Sequence, residues 1–248
     1  MSSSASRSTG GHFDALAPRY DELRPVDESW WRVFDAIVEL GDLRGHRIVE
    51  IGAGTARLAA ALAERAHARV WAVDASPEMV KHAKALGVNA RVATAESLPF
   101  KRGWFDRAVS RMSVHLFDRP RAFAEVRRVL APGGAAIVAT TDPAQFGAGW
   151  IDPFFPSAAA VDAARFPNAD ELERDLTGAG FASVRIERLA IHNTLRRERV
   201  LEAIRGMAFS TFALIPREEY EDGLARAEAE LPDEIASVHR WLLVRADA

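Results

Sequence analysis

Apolar and polar positions alternate in two different rhythms between residues 45 and 141. Short runs such as Ile48-Val49-Glu50-Ile51 and Val70-Trp71-Ala72-Val73 have the length and β-branched or aromatic content of buried strands. Between them apolar residues recur at helical spacing. The pattern predicts strands at about 47–51, 69–73, 90–93, 105–110 and 135–141, and helices at about 55–66, 77–86 and 119–130. Strand and helix in alternation predict a parallel sheet with crossover helices.

The flanks have their own patterns. Phe13, Leu16, Tyr20 and Leu23 form an apolar stripe ahead of Pro25, and Asp27 is a candidate cap for a helix running through Trp30, Trp31, Phe34 and Ile37 to Gly41. After Thr141 a loop rich in aromatics and glycine extends to about residue 166. Asn168 with Glu171 predicts a capping box for a helix ending near Gly178, and Phe181 to Arg188 alternates like a strand. Helices at about 196–207 and 217–230 follow, and His239 to Arg245 reads as a final strand.

With 248 residues the chain suits one large domain with a well-buried core. The expected organisation is a serine-rich tail at 1–11, then a single domain at 12–248. That domain has lid helices at 12–40 and insertions at about 142–168 and 190–235. A formal net charge of −3 supplies no positive field, which disfavours a nucleic-acid substrate or an anionic membrane surface. No cysteine is present, so disulfides and thiolate chemistry are excluded, and a reducing cytoplasmic setting is the expectation. No apolar run reaches the length of a membrane span. Oligomeric state leaves no trace in the pattern.

The candidate chemistry begins at Glu50-Ile51-Gly52-Ala53-Gly54, where a strand enters a small-residue turn. Two glycines there let backbone N–H groups approach a ligand closely. Asp74 ends the next strand twenty residues beyond Gly54, a spacing at which a carboxylate can accept from ribose hydroxyls. A dinucleotide fingerprint would need a third glycine at 57, where Arg57 stands.

The E/D-x-G-x-G pattern of Glu50, Gly52 and Gly54 resembles motif I of class I S-adenosylmethionine-dependent methyltransferases, of the small-molecule, type 11-like kind. Ala56 departs from that family, which usually has glycine there. Thr94-Ala95-Glu96-Ser97-Leu98-Pro99-Phe100 resembles its third-strand signature, with Thr94 in place of an aspartate that reaches adenine. Glu125 to Gly134 resembles its helix-to-turn signature before the fifth strand. The likeness is firm over 45–140 and loose over 12–25 and 170–190. It implies a Rossmann-like seven-stranded, mostly parallel α/β sheet of order 3-2-1-4-5-7-6, with the last strand antiparallel and helices on both faces. Singly, Asp74 also reads as a helix-end charge and Pro132-Gly133-Gly134 as a helix stop.

By that resemblance the cofactor is S-adenosyl-L-methionine, leaving as S-adenosyl-L-homocysteine. Gly52, Ala53, Gly54 and Glu50 would hold its methionine part, Asp74 with Ala75 its ribose, and Met79, Thr94, Ala95 and Glu96 its adenine. Ser110 and Arg111, at the end of the fourth strand, are further cofactor candidates, with Arg111 meeting either the cofactor carboxylate or an acidic substrate. Tyr20 would close over the cofactor from the lid, and Arg24 would grip a carboxylate.

His115 is the candidate base, with His12 behind it. Trp150, Phe154 and Phe209 are candidate substrate-wall residues among two aromatic clusters that also contain Phe155, Met207 and Phe212, and these clusters also read as plain packing. No histidine spacing suits a metal. The [N/D]-P-P-[Y/F] sequence of nucleobase and glutamine N-methylation is absent, since Ser110-Arg111-Met112-Ser113 stands there. The leading expectation is methyl transfer to a small molecule, with the acceptor and its atom open. The alternatives are an NAD(P)-dependent oxidoreductase, suggested by the glycine turn with Asp74, and a cofactor-binding module without catalysis.

Overall fold

The computed structural model describes residues 12–248, so the expected tail at 1–11 lies outside the described residues. Seven strands form one sheet in the order β3-β2-β1-β4-β5-β7-β6, as the resemblance implied. The parallel half comprises β1 (Arg47–Ile51), β2 (Arg69–Asp74), β3 (Asn89–Val92), β4 (Phe105–Arg111) and β5 (Leu130–Thr141). Two further strands complete it: β6 (Ser183–Arg196) runs in the direction of the parallel half, and β7 (Glu234–Asp247) lies antiparallel between β5 and β6.

Alternate side chains of the central strands feed two cores, as the two-residue period of a strand requires. Val49, Ile51, Ala108, Ala136 and Val138 pack with helices Arg119–Val129 and Ala169–Gly178. Ile48, Val109 and Ile137 pack on the other side with helices Glu28–Gly41 and Arg57–Arg65. The sheet is therefore covered on both faces, and its carboxyl edge is left to the loops.

Local chemistry sets the helix starts. Asp27 accepts from the Trp30 N–H, Ser76 accepts from Met79 with Pro77 in the first turn, and Asn168 and Glu171 form the reciprocal capping box. The N-terminal stripe is less regular than its spacing predicts. A tight turn at Ala17–Arg19 interrupts it because Pro18 has no N–H to donate, and a one-turn helix Tyr20–Leu23 follows.

Three expectations were too coarse. Pro132-Gly133-Gly134 is not a separate turn but an irregularity inside β5, where Gly133 takes φ +76° and the register against β4 shifts. A short helix, Ala158–Ala163, forms inside the aromatic loop. Both β6 and β7 have 14 residues, far longer than expected. Only Trp241–Asp247 pairs with β5, so the stretch of β7 before Trp241 pairs with 190–196 of β6 alone. That free ribbon projects past the sheet edge. Beside it, helices Arg197–Arg205 and Arg217–Glu230 bury their own cluster around Phe155, Ile204 and Phe212.

Candidate active site

The turn after β1 is built by two glycines with different duties. Gly52 adopts φ +68°, and a Cβ on it would stand 2.4 Å from the Ser113 Cβ, so close packing against the loop after β4 requires glycine. Gly54 has φ +56°, and the nearest atoms to a Cβ there are in Tyr20 and Met79, at 3.9 and 4.0 Å. Gly54 thus leaves open the approach between the N-terminal segment and helix Pro77–Ala85. Ala56 also takes a left-handed conformation, φ 62°, which explains why glycine is the usual residue in the resembling family.

Two carboxylates brace this turn. Asp74 Oδ2 accepts from the Gly54 N–H at 2.7 Å and its Oδ1 from the Ser76 N–H at 2.9 Å. Burial raises the Asp74 pKa, and those amides oppose the rise. Glu50 accepts from the Ala59 N–H at 2.9 Å inside the helix that follows the turn. Burial pushes the Glu50 carboxyl up to about 8, against the pull of that amide and of the Arg111 charge.

The turn opens on a cavity of about 830 Å³. The structure brings Tyr20, Arg24, Glu50, Gly52, Ala53, Gly54, Asp74, Ala75, Met79, Thr94, Ala95, Glu96, Arg111, His115, Trp150 and Phe209 together on its wall. Two expected residues are not there. Ser110 is buried and bonded to the Ser113 hydroxyl at 2.6 Å; Ser113, held also by the Ile51 carbonyl at 3.0 Å, lines the cavity in its place. Phe154 is buried in the cluster under the two added helices, together with Phe155 and Phe212. It is core packing.

Arg111 stands between the faces of Trp30 and Trp241, with its guanidinium carbon 5.4 and 5.2 Å from the ring centroids. Its Nε is buried without a hydrogen-bond partner, and burial pulls its pKa down to about 10. The His115 ring stacks on Phe166 at 3.9 Å and 15°, and its Nδ1 has no partner. Burial, then the charges of Arg165 and Arg24, hold this imidazole well below its ordinary pKa, so it is neutral at pH 7. His12 is shifted in the same direction for the same reasons.

Sequence reasoning missed Trp30, Trp241, Asn193 and His239, all on the cavity wall. Asn193, Ser237, His239 and Trp241 share one face of the β6–β7 pair, since each strand contributes every second residue to it. Ser29 donates to Asn193 Oδ1 at 2.7 Å, which fixes the ribbon against the first long helix. Burial, then Arg111, lowers the His239 pKa to about 4, and His239 bonds Thr141 at 3.2 Å.

An open α/β sheet with a glycine turn at its switch point between β1 and β4, and an acidic end on the neighbouring β2, is the arrangement of a nucleoside-cofactor protein. The methyltransferase-domain family model matches residues 49–138. The demethylmenaquinone methyltransferase of Thermus thermophilus is 35% identical over 150 residues, covering 55% of this chain and 67% of that protein. The ubiquinone/menaquinone biosynthesis C-methyltransferase of Geotalea daltonii is 32% identical over 142 residues, covering 51% of this chain and 60% of that protein. A methyltransferase from an antibiotic biosynthesis pathway of Anabaena variabilis superposes with a TM-score of 0.68 at 26% identity, over 87% of this chain and 96% of that one.

The chain belongs to the class I S-adenosylmethionine-dependent methyltransferases, and S-adenosylmethionine is the cofactor of that family. The aligned part is 58% and 60% of the length of the first two quinone-pathway relatives, less than two thirds of either. The family match ends inside β5, before the aromatic loop and the ribbon. Among the described residues no helix is long and apolar enough to cross a membrane.

Proposed function

We propose that this protein transfers the methyl group of S-adenosylmethionine to a small-molecule acceptor. The observation that carries the reading is that the braced Gly52–Gly54 turn and the aromatic wall open on one cavity of about 830 Å³, large enough for donor and acceptor side by side. The cavity chemistry fits the donor. Arg111 offers a buried, unpartnered Nε to a carboxylate, Glu50 offers an acceptor to an ammonium, and Asp74 keeps lone pairs for ribose hydroxyls. Met79, buried beside the turn, supplies an apolar face for a base.

When bound, the cofactor supplies an electrophilic methyl carbon on a sulfonium, and an acceptor lone pair displaces the thioether in line. The protein's own share is positioning and exclusion of water. Tyr20 closes the site above Gly54. His115, neutral and with its Nδ1 unpartnered, takes the proton that the acceptor atom gives up. No residue of the wall needs to form a covalent bond. The quinone chemistry named for the relatives is not carried over, because the acceptor side of this cavity comes from segments beyond the family match.

Calorimetry with S-adenosylhomocysteine and with NAD tests the donor half, and a screen of acceptors with labelled methyl donor tests the transfer. Binding of S-adenosylhomocysteine without binding of NAD is expected. Tight NAD binding alone would restore the oxidoreductase reading, and donor binding with no labelled product from any acceptor would leave a non-catalytic module.

A further inference from the structure

The inner wall of the cavity carries two arginines that no carboxylate pairs, one more than the donor's single carboxylate requires. Of the arginines on its inner wall, Arg57 is paired with Asp21 at 3.0 Å and Arg165 with Asp162 at 2.6 Å. Arg24, Arg111 and, exposed at the rim, Arg240 have no carboxylate partner among the described residues. Arg111 lies beside Glu50 at the end of β4, between Trp30 and Trp241. Arg24 lies on the N-terminal segment, where its Nε at 3.0 Å and its Nη2 both donate to the Ala208 carbonyl and its guanidinium carbon sits 5.7 Å from the Phe209 ring centroid. The Tyr20 hydroxyl accepts from Arg24 Nη1 at 3.5 Å.

The donor carries a single carboxylate. It carries two positive groups as well, its sulfonium and its ammonium, so binding it makes the site more positive overall. Ionisation of Glu50 offsets the ammonium, one guanidinium offsets the carboxylate, and the sulfonium charge stays until the methyl group leaves. One guanidinium then stays without a counter-charge in a half-buried site, an arrangement that costs free energy unless the second ligand is an anion. Which arginine serves which ligand follows from position. Arg111 adjoins Glu50 and the glycine turn, while Arg24 adjoins Phe209, His12 and His115 on the acceptor side.

Resting on the methyl-transfer reading, we infer that the acceptor is a small aromatic carboxylic acid, whose carboxylate is held by Arg24. The Ala208 carbonyl pins Nε and Nη2 of Arg24 and the Tyr20 hydroxyl takes one N–H of Nη1, which leaves one N–H on each terminal nitrogen for one carboxylate. A phosphate dianion would call for a second unpaired cation beside Arg24, and Arg111 is already committed while Arg240 sits exposed on the outer face of the ribbon. Trp30, Trp150, Phe166, Phe209 and Trp241 line the cavity and suit a flat ring. This substrate class differs from a quinone, which has no carboxylate to place.

The experiment uses the full chain and a panel of probe pairs, namely benzoate, phenylacetate and 4-hydroxybenzoate, each beside its methyl ester. Affinities are measured by calorimetry with S-adenosylhomocysteine saturating. At least one acid is expected to bind about tenfold or more tightly than its ester, as a charge-assisted pair implies. R24Q should erase that preference and leave S-adenosylhomocysteine affinity within about threefold, whereas R111Q should weaken S-adenosylhomocysteine by about tenfold or more. Circular dichroism and the retained S-adenosylhomocysteine affinity show that R24Q is folded.

Equal binding of every acid and its ester overturns the inference. So does a loss of S-adenosylhomocysteine affinity in R24Q with the acid preference intact. If the wild-type chain fails to bind S-adenosylhomocysteine, the donor reading falls. The acid–ester comparison on the chain alone then still reports on Arg24.

Discussion

Arg57 and Asp21 form an ion pair at 3.0 Å that joins the helix behind the glycine turn to the N-terminal segment. Thr55 donates to the same Asp21 oxygen at 2.7 Å, so one carboxylate holds two residues of the turn. Arg57, which in the sequence marks only a missing third glycine, is thus part of the closure over the site. Asp21 is partly exposed, so its pairing is worth about 1 kcal/mol or less. Asp21→Ala is expected to speed hydrogen exchange across residues 12–23 and to raise the dissociation rate of S-adenosylhomocysteine several-fold, with little change in Tm. Exchange at the wild-type rate would assign the closure to Leu16, Leu23 and Ala208 instead, which pack together beneath the segment.

Asp74 has a double duty at the turn. Asp74→Ala removes the acceptor of the Gly54 and Ser76 amides and the candidate ribose ligand together. Affinity for S-adenosylhomocysteine should fall by roughly ten- to a hundredfold, as for a charge-assisted hydrogen bond of about 1.5–3 kcal/mol. Calorimetry reads this directly, and unchanged affinity would remove Asp74 from the site.

The two glycines of the turn should respond differently to the same substitution. Gly52→Ala drives a methyl group into Ser113 while keeping a left-handed φ, and a loss of about 2–4 kcal/mol in urea unfolding is expected. Gly54→Ala meets no such obstruction, so about 1 kcal/mol of backbone strain is its stability cost. Its larger effect should appear in cofactor affinity, because the new methyl projects towards the gap between Tyr20 and Met79. Equal unfolding losses in the two variants would contradict this division.

Glu50 makes stability depend on pH in an unusual direction. Its folded pKa of about 8 lies above the ordinary 4.5, so between these values the folded chain binds more protons than the unfolded one. The Glu50 contribution is therefore fully present below about pH 4.5 and is lost as pH rises towards 8. Glu50→Gln should flatten that decline in a urea-unfolding series across pH. An ammonium arriving beside Glu50 favours its ionised form, so cofactor binding near neutral pH should release a proton. Calorimetry in phosphate and in Tris separates the enthalpies if it does, and identical enthalpies would place the ammonium elsewhere.

The donor side was legible because its chemistry is local. Strand, glycine turn and capped helix lie close together in sequence, and Ser76, Asp27 and Asn168 cap where their spacing indicates. The acceptor side was not, for physical reasons. Trp30 and Trp241 meet Arg111 only because β7 folds back beside β5 against the first long helix. The extension of β6 was hidden because 190–196 mixes Ile191 and Leu195 with His192, Asn193 and Thr194, the alternation of a ribbon with one face in solvent and no broad core to pack on. Ser110 and Ser113 exchanged places because Met112 takes a left-handed φ of 56°, bending the chain after β4 so that the later serine reaches the turn. Periodicity also could not separate Phe154, which is core, from Trp150, which is wall.

The ribbon beyond the fifth strand satisfies its hydrogen bonds within itself, and no strand of the parallel half depends on it for pairing. On the proposed reading, substitutions on its inner face at Ile191, Asn193 or Ser237 are therefore expected to change what the cavity admits while the donor still binds. Donor use and acceptor choice are in this way separable under mutation. Descendants of this chain can acquire a new acceptor by altering one hairpin, without having to rebuild the half of the molecule that handles the methyl group.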